Sequence, residues 1–149
     1  MNYDFKMEST NGEILSLDDF KGKYLVLYFY PKDNTSGCTT EALEFSELYD
    51  EFKALDVEVV GVSRDSIRTH NNFKDKHSIP FMLLSDPERE VFERLGLLKP
   101  KKMYGKDVIG TIRSTFIFDK DSNMIKEYRD VKPLGHAEEV LNYIKENVI

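Results

Sequence analysis

The segment YLVLYFYPKDNTSGCTTEALEF, residues Tyr24 to Phe45, joins an apolar run to a polar turn and then to an amphipathic stretch. Its first seven residues are apolar or aromatic at every position, which is typical of a central strand covered on both faces. Pro31 ends the strand because proline has no N–H to donate to a continuing ladder. From about Cys38 to Leu55, apolar residues recur at steps of three and four, which predicts a helix.

The flanking sequence continues this alternation of strands and helices. An N-terminal hairpin turning at Asn11-Gly12 precedes the strand and helix above. After them the sequence predicts a strand from Val57 to Ser63, a helix from Asp65 or Ser66 to about His77, a strand near Phe81 to Leu84 and a helix in SDPEREVFERLG. A lysine-rich loop follows, then strands from Ser114 to Phe118 and from Met124 to Asp130, and a helix over roughly His136 to Asn147. This order predicts an α/β fold with a mixed sheet and helices on both faces.

Length and composition predict one globular domain over residues 1–149. The net charge of −6 disfavours nucleic acid as a partner, because phosphate binding needs a clustered positive surface. The longest apolar run, Tyr24 to Tyr30, is too short to span a bilayer, and the N-terminus lacks the pattern of a signal peptide. A single cysteine forms no internal disulfide, which favours a soluble protein of the reducing cytoplasm.

Cys38 lies at an unusual place for a lone cysteine. Most such residues are small, inert and buried hydrophobes. Cys38 instead falls in the first turn of the predicted helix, among threonines and serine, beside Gly37, which leaves space near the backbone. An ordinary thiol is only roughly 3% ionised at pH 7, and the helix N-terminus and the hydroxyl of Thr35 contribute too little to change that. A reactive thiolate at this site therefore needs a nearby cation.

Pro31, Thr35 and Cys38 form the pattern P-x-x-x-T-x-x-C, which resembles the active-site motif of the peroxiredoxins. FYPKDNTSGCTTEALEF is similar to the bacterioferritin comigratory protein, or peroxiredoxin Q, branch of that family. Five further segments are similar to that branch in the same order, and together they cover nearly the whole chain. They are LSLDDFKGKYLVLYFYP, VVGVSRDS, IPFMLLSD, KKMYGK and IRSTFIFD. The resemblance implies a thioredoxin-like fold and the reduction of hydrogen peroxide and organic hydroperoxides, without a cofactor or metal.

The resemblance also assigns roles to five residues. Cys38 is expected to be the peroxidatic cysteine, and Thr35 the hydroxyl that orients the peroxide. Arg113 is the expected cation, because a fixed guanidinium favours the thiolate and binds the peroxide oxygens. Glu41 matches the glutamate that holds this arginine, and Pro31 is expected to close the pocket.

One position departs from the branch. Many of its members carry a resolving cysteine five positions after the peroxidatic one, where this chain has Leu43. The resemblance is therefore to a one-cysteine enzyme, whose sulfenic acid is resolved by an external thiol such as thioredoxin, glutaredoxin or a small thiol. We expect a monomer or a weak homodimer.

Three other functions compete with the peroxidase. The leading alternative is a non-catalytic redox sensor, in which oxidation of Cys38 alters partner binding. A thiol transferase is disfavoured because the chain has no C-x-x-C motif. A cysteine protease needs a histidine base within reach. Surface or helix-capping roles are expected instead for the three histidines, His70, His77 and His136.

Several further residues lie near the motif or carry charge. Arg64 is expected on the surface, with a second active-site cation as its alternative role. The lysine-rich segment is expected to be a solvated loop, with docking of an acidic reductant as the weaker interpretation; its members are Lys99, Lys101, Lys102 and Lys106. Three phenylalanines are expected to line the site, namely Phe29, Phe45 and Phe116.

Overall fold

A computed structural model describes residues 2–148 of the chain. The strands are β1 (Lys6–Ser9), β2 (Ile14–Ser16), β3 (Tyr24–Phe29), β4 (Val57–Ser63), β5 (Leu83–Ser85), β6 (Leu98–Met103), β7 (Lys106–Thr111), β8 (Ser114–Phe118) and β9 (Met124–Arg129). The helices are α1 (Ser36–Ala54), α2 (Ile67–His77), α3 (Glu90–Arg94) and α4 (His136–Asn147), with a 3-10 helix at Leu17–Phe20. Seven strands form one sheet in the order β2-β1-β5-β4-β3-β8-β9.

Strand β3 lies at the centre of this sheet, as its apolar sequence predicts. It pairs in parallel with β4 and antiparallel with β8. Val26 and Tyr28 point to a core cluster that includes residues of α1, α2 and α4. Leu25 and Leu27 point to a second cluster, which includes residues of α3, β1 and the 3-10 helix. The mixed sheet with both faces covered and the N-terminal hairpin are therefore confirmed.

The lysine-rich segment is not a loop, and that prediction is wrong. It forms an antiparallel hairpin in which β6 pairs with β7 in a separate two-stranded sheet. Tyr104 and Gly105 turn the hairpin with φ values of +53° and +76°, the positive angles that a tight hairpin turn requires. Because β6 faces solvent over most of its length, its strand lacks the apolar alternation that marks a half-buried strand.

Three elements begin at least two residues away from their predicted starts. Helix α1 begins at Ser36, two residues before Cys38. Strand β5 runs over Leu83–Ser85, later than its prediction near Phe81 to Leu84. Helix α3 begins only at Glu90, because Asp86 turns its carboxylate onto the backbone N–H groups of residues 90, 91 and 92 at 3.0–3.1 Å. Arg89 is the N-cap residue, and Asp86 supplies the acceptor oxygens for the first N–H groups of the helix.

A buried hydrogen-bonded network fixes the loop between β3 and α1. The Asp33 carboxylate accepts from Tyr30 Oη at 2.5 Å and lies 2.6 Å from His70 Nδ1. The backbone N–H of Asp33 donates to Asp65 Oδ2 at 2.8 Å. His70 Nε2 donates to the Leu84 carbonyl at 2.8 Å, so the contact at Nδ1 requires a second proton, held by the imidazole or by Asp33. The surface or capping role expected for His70 is therefore wrong.

We expect this network to contribute strongly to the free energy of unfolding. Asp33→Ala and His70→Ala should each lower that free energy by about 3 kcal/mol, because each leaves a buried polar partner unsatisfied. The double variant should lose less than the sum of the two, since the second substitution removes a partner that is already orphaned.

Urea denaturation of the four proteins measures this coupling. Asp75→Ala, at an exposed position of α2, is the control and should change the free energy of unfolding by less than about 0.5 kcal/mol. Strictly additive losses in Asp33→Ala and His70→Ala would show that the two side chains do not stabilise the loop together.

Candidate active site

Cys38 lies in the first turn of α1, just beyond the carboxyl end of β3. Its side chain is only 1% exposed and belongs to the core cluster that also contains Tyr28 and Phe45. The thiol is free, as expected for the only cysteine of the chain. Burial alone would fit an inert cysteine, so the polar groups that reach the sulfur decide what this residue can do.

Arg113 is the cation that reaches the sulfur. It lies between β7 and β8, and its Nη2 donates to Cys38 Sγ at 3.5 Å. Its Nη1 donates to Glu41 Oε1 at 2.8 Å, an ion pair in which the glutamate side chain is fully buried. The structure thus brings together three of the five predicted site residues, all around one guanidinium. Two N–H groups of one rigid plane fix its orientation over the thiol.

Gly37 allows this close approach. A Cβ atom at position 37 would lie 3.3 Å from Arg113 Nη2 and 3.4 Å from Pro133 Cγ. These separations are tighter than ordinary van der Waals contacts, so a larger residue would press on the guanidinium. The space that the sequence predicts beside Cys38 is therefore occupied by Arg113.

Thr35 and Pro31 lie in the loop that leads from β3 into α1. Thr35 is the N-cap residue of α1, but its hydroxyl donates to the Lys32 carbonyl at 2.8 Å rather than to the sulfur or to the helix. The side chain is exposed, and with half-buried Pro31 it borders a cavity of about 360 Å³. The Thr35 hydroxyl therefore does not bond to the sulfur here, and its role toward a peroxide stays a prediction.

Burial of the ion pair sets the charges at the site. Burial raises the pKa of Glu41 from its ordinary 4.5 to about 7, although the Arg113 charge acts in the opposite direction. Burial alone would lower the pKa of Arg113, but Glu41 and Cys38 outweigh it and raise that pKa above its usual value. Glu41 Oε2 is buried without a hydrogen-bond partner. The carboxyl therefore holds Arg113 at a cost in desolvation, and it is poised to change its charge near neutral pH.

The histidines lie apart from the thiol. His136 is buried at the start of α4, with Nε2 2.7 Å from Thr115 Oγ1, and burial lowers its pKa. Its side chain is 2% exposed, so the expectation of a surface role is wrong, although it does stand in the first turn of its helix. Within residues 2–148 no histidine hydrogen-bonds to Cys38, which leaves a protease-like Cys-His pair without support.

Of the three phenylalanines expected to line the site, one does so. Phe45 shares the core cluster of Cys38, whereas Phe29 and Phe116 pack on the opposite face of the sheet. Their prediction rested on distance along the chain, which ignores the alternation of strand side chains. Arg64 is exposed and borders the cavity with Thr35, without a hydrogen bond to the thiol.

One group in the described part of the chain could supply three metal ligands, namely Asp33, Asp65 and His70. These side chains already have hydrogen-bond partners within the protein. Asp33 lies against His70, Asp65 accepts from the backbone N–H of Asp33, and His70 also donates to the Leu84 carbonyl. Cys38 is not part of this group. Across residues 2–148, none of the helices combines the length and the apolar character that a membrane span requires.

Comparison with known proteins assigns the family. Residues 2–127 match the model of the AhpC/TSA family. Peroxiredoxin Bcp of Bacillus subtilis is 47% identical over 143 residues, which cover 96% of this chain and 91% of the relative. The chain belongs to the peroxiredoxins of the AhpC/TSA family. The resemblance noted in the sequence is thereby confirmed.

Solved structures of other peroxiredoxins share the fold. A complex of the Xanthomonas campestris bacterioferritin comigratory protein, described for alkyl peroxide reduction, has a TM-score of 0.89 at 40% identity and covers 95% of this chain and 90% of its own. A mutant of the Xylella fastidiosa peroxiredoxin Q has a TM-score of 0.92 at 39% identity, with coverages of 100% and 94%. The predicted thioredoxin-like peroxiredoxin fold is confirmed.

The structure adds features of the site that sequence reasoning missed. Asp33 anchors the catalytic loop through His70, yet neither residue stands at a spacing that suggests contact. The motif offers little signal for this contact, because Asp33 stands beside Lys32 as one of two adjacent charged residues. The β6–β7 hairpin, which lines a cavity together with this loop, left no signal in the apolar pattern.

Gly37→Ala separates the geometry of the site from its stability. Alanine is the better helix former by up to about 1 kcal/mol, so the free energy of unfolding should stay equal or rise. The new methyl group should displace Arg113 by a few tenths of an ångström and slow oxidation of Cys38 by hydrogen peroxide by roughly tenfold. Stopped-flow kinetics and urea denaturation measure the two effects. Ser36→Ala, one residue earlier and exposed, is the control, and an unchanged rate in Gly37→Ala would contradict the role of the close contact.

The charge of Glu41 is tested by the pH dependence of stability. The folded pKa of about 7 lies above the ordinary 4.5, so the folded protein holds the proton more tightly than the unfolded chain. The stability of the wild type relative to the Glu41→Gln variant should therefore be greatest below pH 4.5, and this advantage should be lost as the pH rises through about 7. The total loss should be on the order of 3 kcal/mol.

Chemical denaturation of both proteins from acidic to neutral pH gives this difference directly. Glu47→Gln, at an exposed position of the same helix, controls for the general effect of removing one negative charge. A difference that grows with pH would show the reverse, namely that the attraction of Arg113 outweighs burial and lowers the pKa of Glu41.

Proposed function

We propose that this peroxiredoxin is a thiol-dependent peroxidase that reduces hydrogen peroxide and organic hydroperoxides through a sulfenic acid on Cys38, which an external thiol resolves. The observation that carries the proposal is the contact of Arg113 Nη2 with Cys38 Sγ at 3.5 Å, made by a guanidinium that Glu41 holds from its other nitrogen. Relatives at 36–47% identity are named peroxiredoxins, which supports the peroxidase class.

The oxidation step uses the fixed charge of Arg113. The Cys38 thiolate attacks the distal oxygen of the peroxide, an S–O bond forms, and the O–O bond breaks. The leaving oxygen takes a proton and departs as water or as an alcohol, while Cys38 becomes a sulfenic acid. Negative charge moves from the sulfur to the leaving oxygen, so a guanidinium that reaches both positions stabilises the transition state. In this proposal Thr35 orients the peroxide and Pro31 limits the access of water.

The reduction step needs a thiol from outside the chain. Leu43, where the branch often has a resolving cysteine, is a partly exposed leucine of α1, so no internal disulfide can form. Cys38 is only 1% exposed, and the first turn of α1 must therefore open before a second thiol reaches it. The weak start of the helix favours this opening, because Thr35 makes no side-chain capping bond.

The requirement for an external thiol also supports a cellular location. A lone cysteine that depends on other thiols turns over only where reduced thiols are abundant, so we place the enzyme in the cytoplasm. A pure redox sensor needs a reactive cysteine but no guanidinium fixed between a carboxylate and the sulfur. The Arg113–Glu41 ion pair therefore favours the peroxidase over the sensor.

Peroxide stoichiometry tests the one-cysteine cycle. Without a thiol, each chain should consume one hydrogen peroxide and gain the mass of one oxygen atom, with no internal disulfide. With thioredoxin, glutaredoxin or a small thiol in excess, consumption should become catalytic for at least one reductant. Peroxide consumption and intact mass spectrometry measure both results, and Cys38→Ser should abolish them.

Two outcomes would reject the proposal in different ways. If the protein consumes hydrogen peroxide no faster than a free thiol does, the protein is not a peroxidase. A rapid single oxidation of Cys38 that no thiol reverses would favour the redox sensor.

A further inference from the structure

A cavity of about 360 Å³ begins at the catalytic loop and continues under the β6–β7 hairpin. Pro31 and Thr35, from the loop that precedes Cys38, are among its lining residues. Its apolar wall comes from hairpin residues, including Met103, Val108 and Ile109. Four cationic side chains also line it, namely Lys32, Arg64, Arg89 and Lys101. We call this space the basic cavity.

The charge of the basic cavity contrasts with that of the whole chain. The protein has a net charge of −6 and an acidic pI of about 5.1. In the region from residue 2 to residue 148, none of the four cations forms an ion pair within 4.0 Å. Lys102, the neighbour of Lys101 on β6, instead pairs with Asp107. Four unpaired cations around one concave space attract an anionic ligand.

Local structure directs two of these cations. A Cβ atom at Gly110 would lie 2.8 Å from Lys101 Cδ, so the stem of the lysine lies flat across the glycine backbone of β7. Arg89 takes a left-handed backbone conformation with φ of +54°, and its Nη1 donates to the Ile109 carbonyl at 2.6 Å. Both side chains are thus held against the hairpin that covers the cavity.

We propose that the basic cavity binds the carboxylates of the small thiol that reduces the Cys38 sulfenic acid. The inference rests on the proposed function and names the class of its reductant, a low-molecular-weight thiol with at least two carboxylates. The chain has one cysteine and must take its second thiol from outside. Pro31 and Thr35 line this cavity and Cys38 does not, so a thiol bound there lies beside the loop that must open to expose the sulfur. Hydrogen peroxide carries no net charge, so the charge of these four cations does not attract it as it attracts a carboxylate.

The chemistry of the step is balanced with two thiols. The first thiolate attacks Sγ of the sulfenic acid, an S–S bond forms, and the S–O bond breaks to release hydroxide, which leaves as water after protonation. A second thiolate attacks the sulfur of the small thiol in the mixed disulfide and releases the Cys38 thiolate. The enzyme gains two electrons, and the two thiols leave as one disulfide.

A series of three thiols of different charge tests the proposal. The sulfenic acid is first formed with hydrogen peroxide, and its reduction is then followed in single turnover. Mercaptosuccinate carries two carboxylates, mercaptoethanol is neutral, and cysteamine carries a positive amine. The variant is the double substitution Arg64→Met and Lys101→Met, which keeps apolar stems and removes two charges. The control is Lys102→Met, which removes one charge at the neighbouring position of the same strand.

The rate with each thiol in the variant is divided by its rate in the wild type, so that the intrinsic reactivity of the thiol cancels. In the double variant the rate of sulfenic acid reduction by mercaptosuccinate should fall at least about tenfold. The rate with mercaptoethanol should stay within about twofold of the wild-type rate. Cysteamine should react equally fast or faster. In Lys102→Met the ratio of variant rate to wild-type rate should stay near one for all three thiols. Added salt should diminish the preference of the wild type for mercaptosuccinate.

Five results would overturn the inference. Equal losses for all three thiols would indicate a structural effect, and an equal effect of Lys102→Met would indicate general attraction. A slower reaction with hydrogen peroxide would place the cations in the oxidation step. A loss confined to oxidation by a carboxylate-bearing hydroperoxide would assign the cavity to the peroxide instead. Failure to form any sulfenic acid would reject the proposed function itself, whereas charge-independent reduction of a sulfenic acid that does form would reject only this inference.

Discussion

The guanidinium of Arg113 is shared between two buried groups of α1. One nitrogen holds the Glu41 carboxylate at 2.8 Å, and another reaches the Cys38 sulfur at 3.5 Å. Because the guanidinium is planar and rigid, fixing one nitrogen fixes the other. The buried carboxylate thus sets the direction in which positive charge meets the thiol, and in our proposal the reactivity of the only cysteine depends on this one side chain.

The rest of the fold brings these residues together and holds the loop that precedes Cys38. Strand β3 is the central strand, and the loop after it delivers Cys38 to the carboxyl end of the sheet, where β8 brings Arg113 alongside. The network of Asp33, His70 and Asp65 then ties the loop to α2 and to the end of β4. The segment from Pro31 to Asp33 is held rigidly, whereas the helix turn that starts after Thr35 has no side-chain cap. In our proposal the site first encloses a peroxide and later admits a thiol. It therefore needs one rigid segment beside a helix turn that can open.

The sequence predicts those parts of the fold that follow from apolar periodicity. The buried strands Val57–Ser63 and Ser114–Phe118 and the helix His136–Asn147 are found at their predicted bounds. The hairpin of β6 and β7 was missed because its exposed strands bury too little to show a pattern. At the site, the resemblance to the peroxiredoxins identifies Arg113 and Glu41, which no local pattern links to Cys38. Contacts between distant residues, such as Asp33 with His70, depend on tertiary packing and leave no periodic signal.

The most direct test of this account compares Arg113 with a lysine at the same position. The measurement is the second-order rate constant for oxidation of Cys38 by hydrogen peroxide, in the wild type and in Arg113→Lys. Lysine keeps the positive charge but cannot donate to Glu41 and to the sulfur from one rigid plane. The account predicts a wild-type rate constant far above that of a free thiol and a fall of at least about 10²-fold in the variant. A rate constant that stays within about threefold in Arg113→Lys would show that charge alone suffices, and the shared guanidinium would lose its central role.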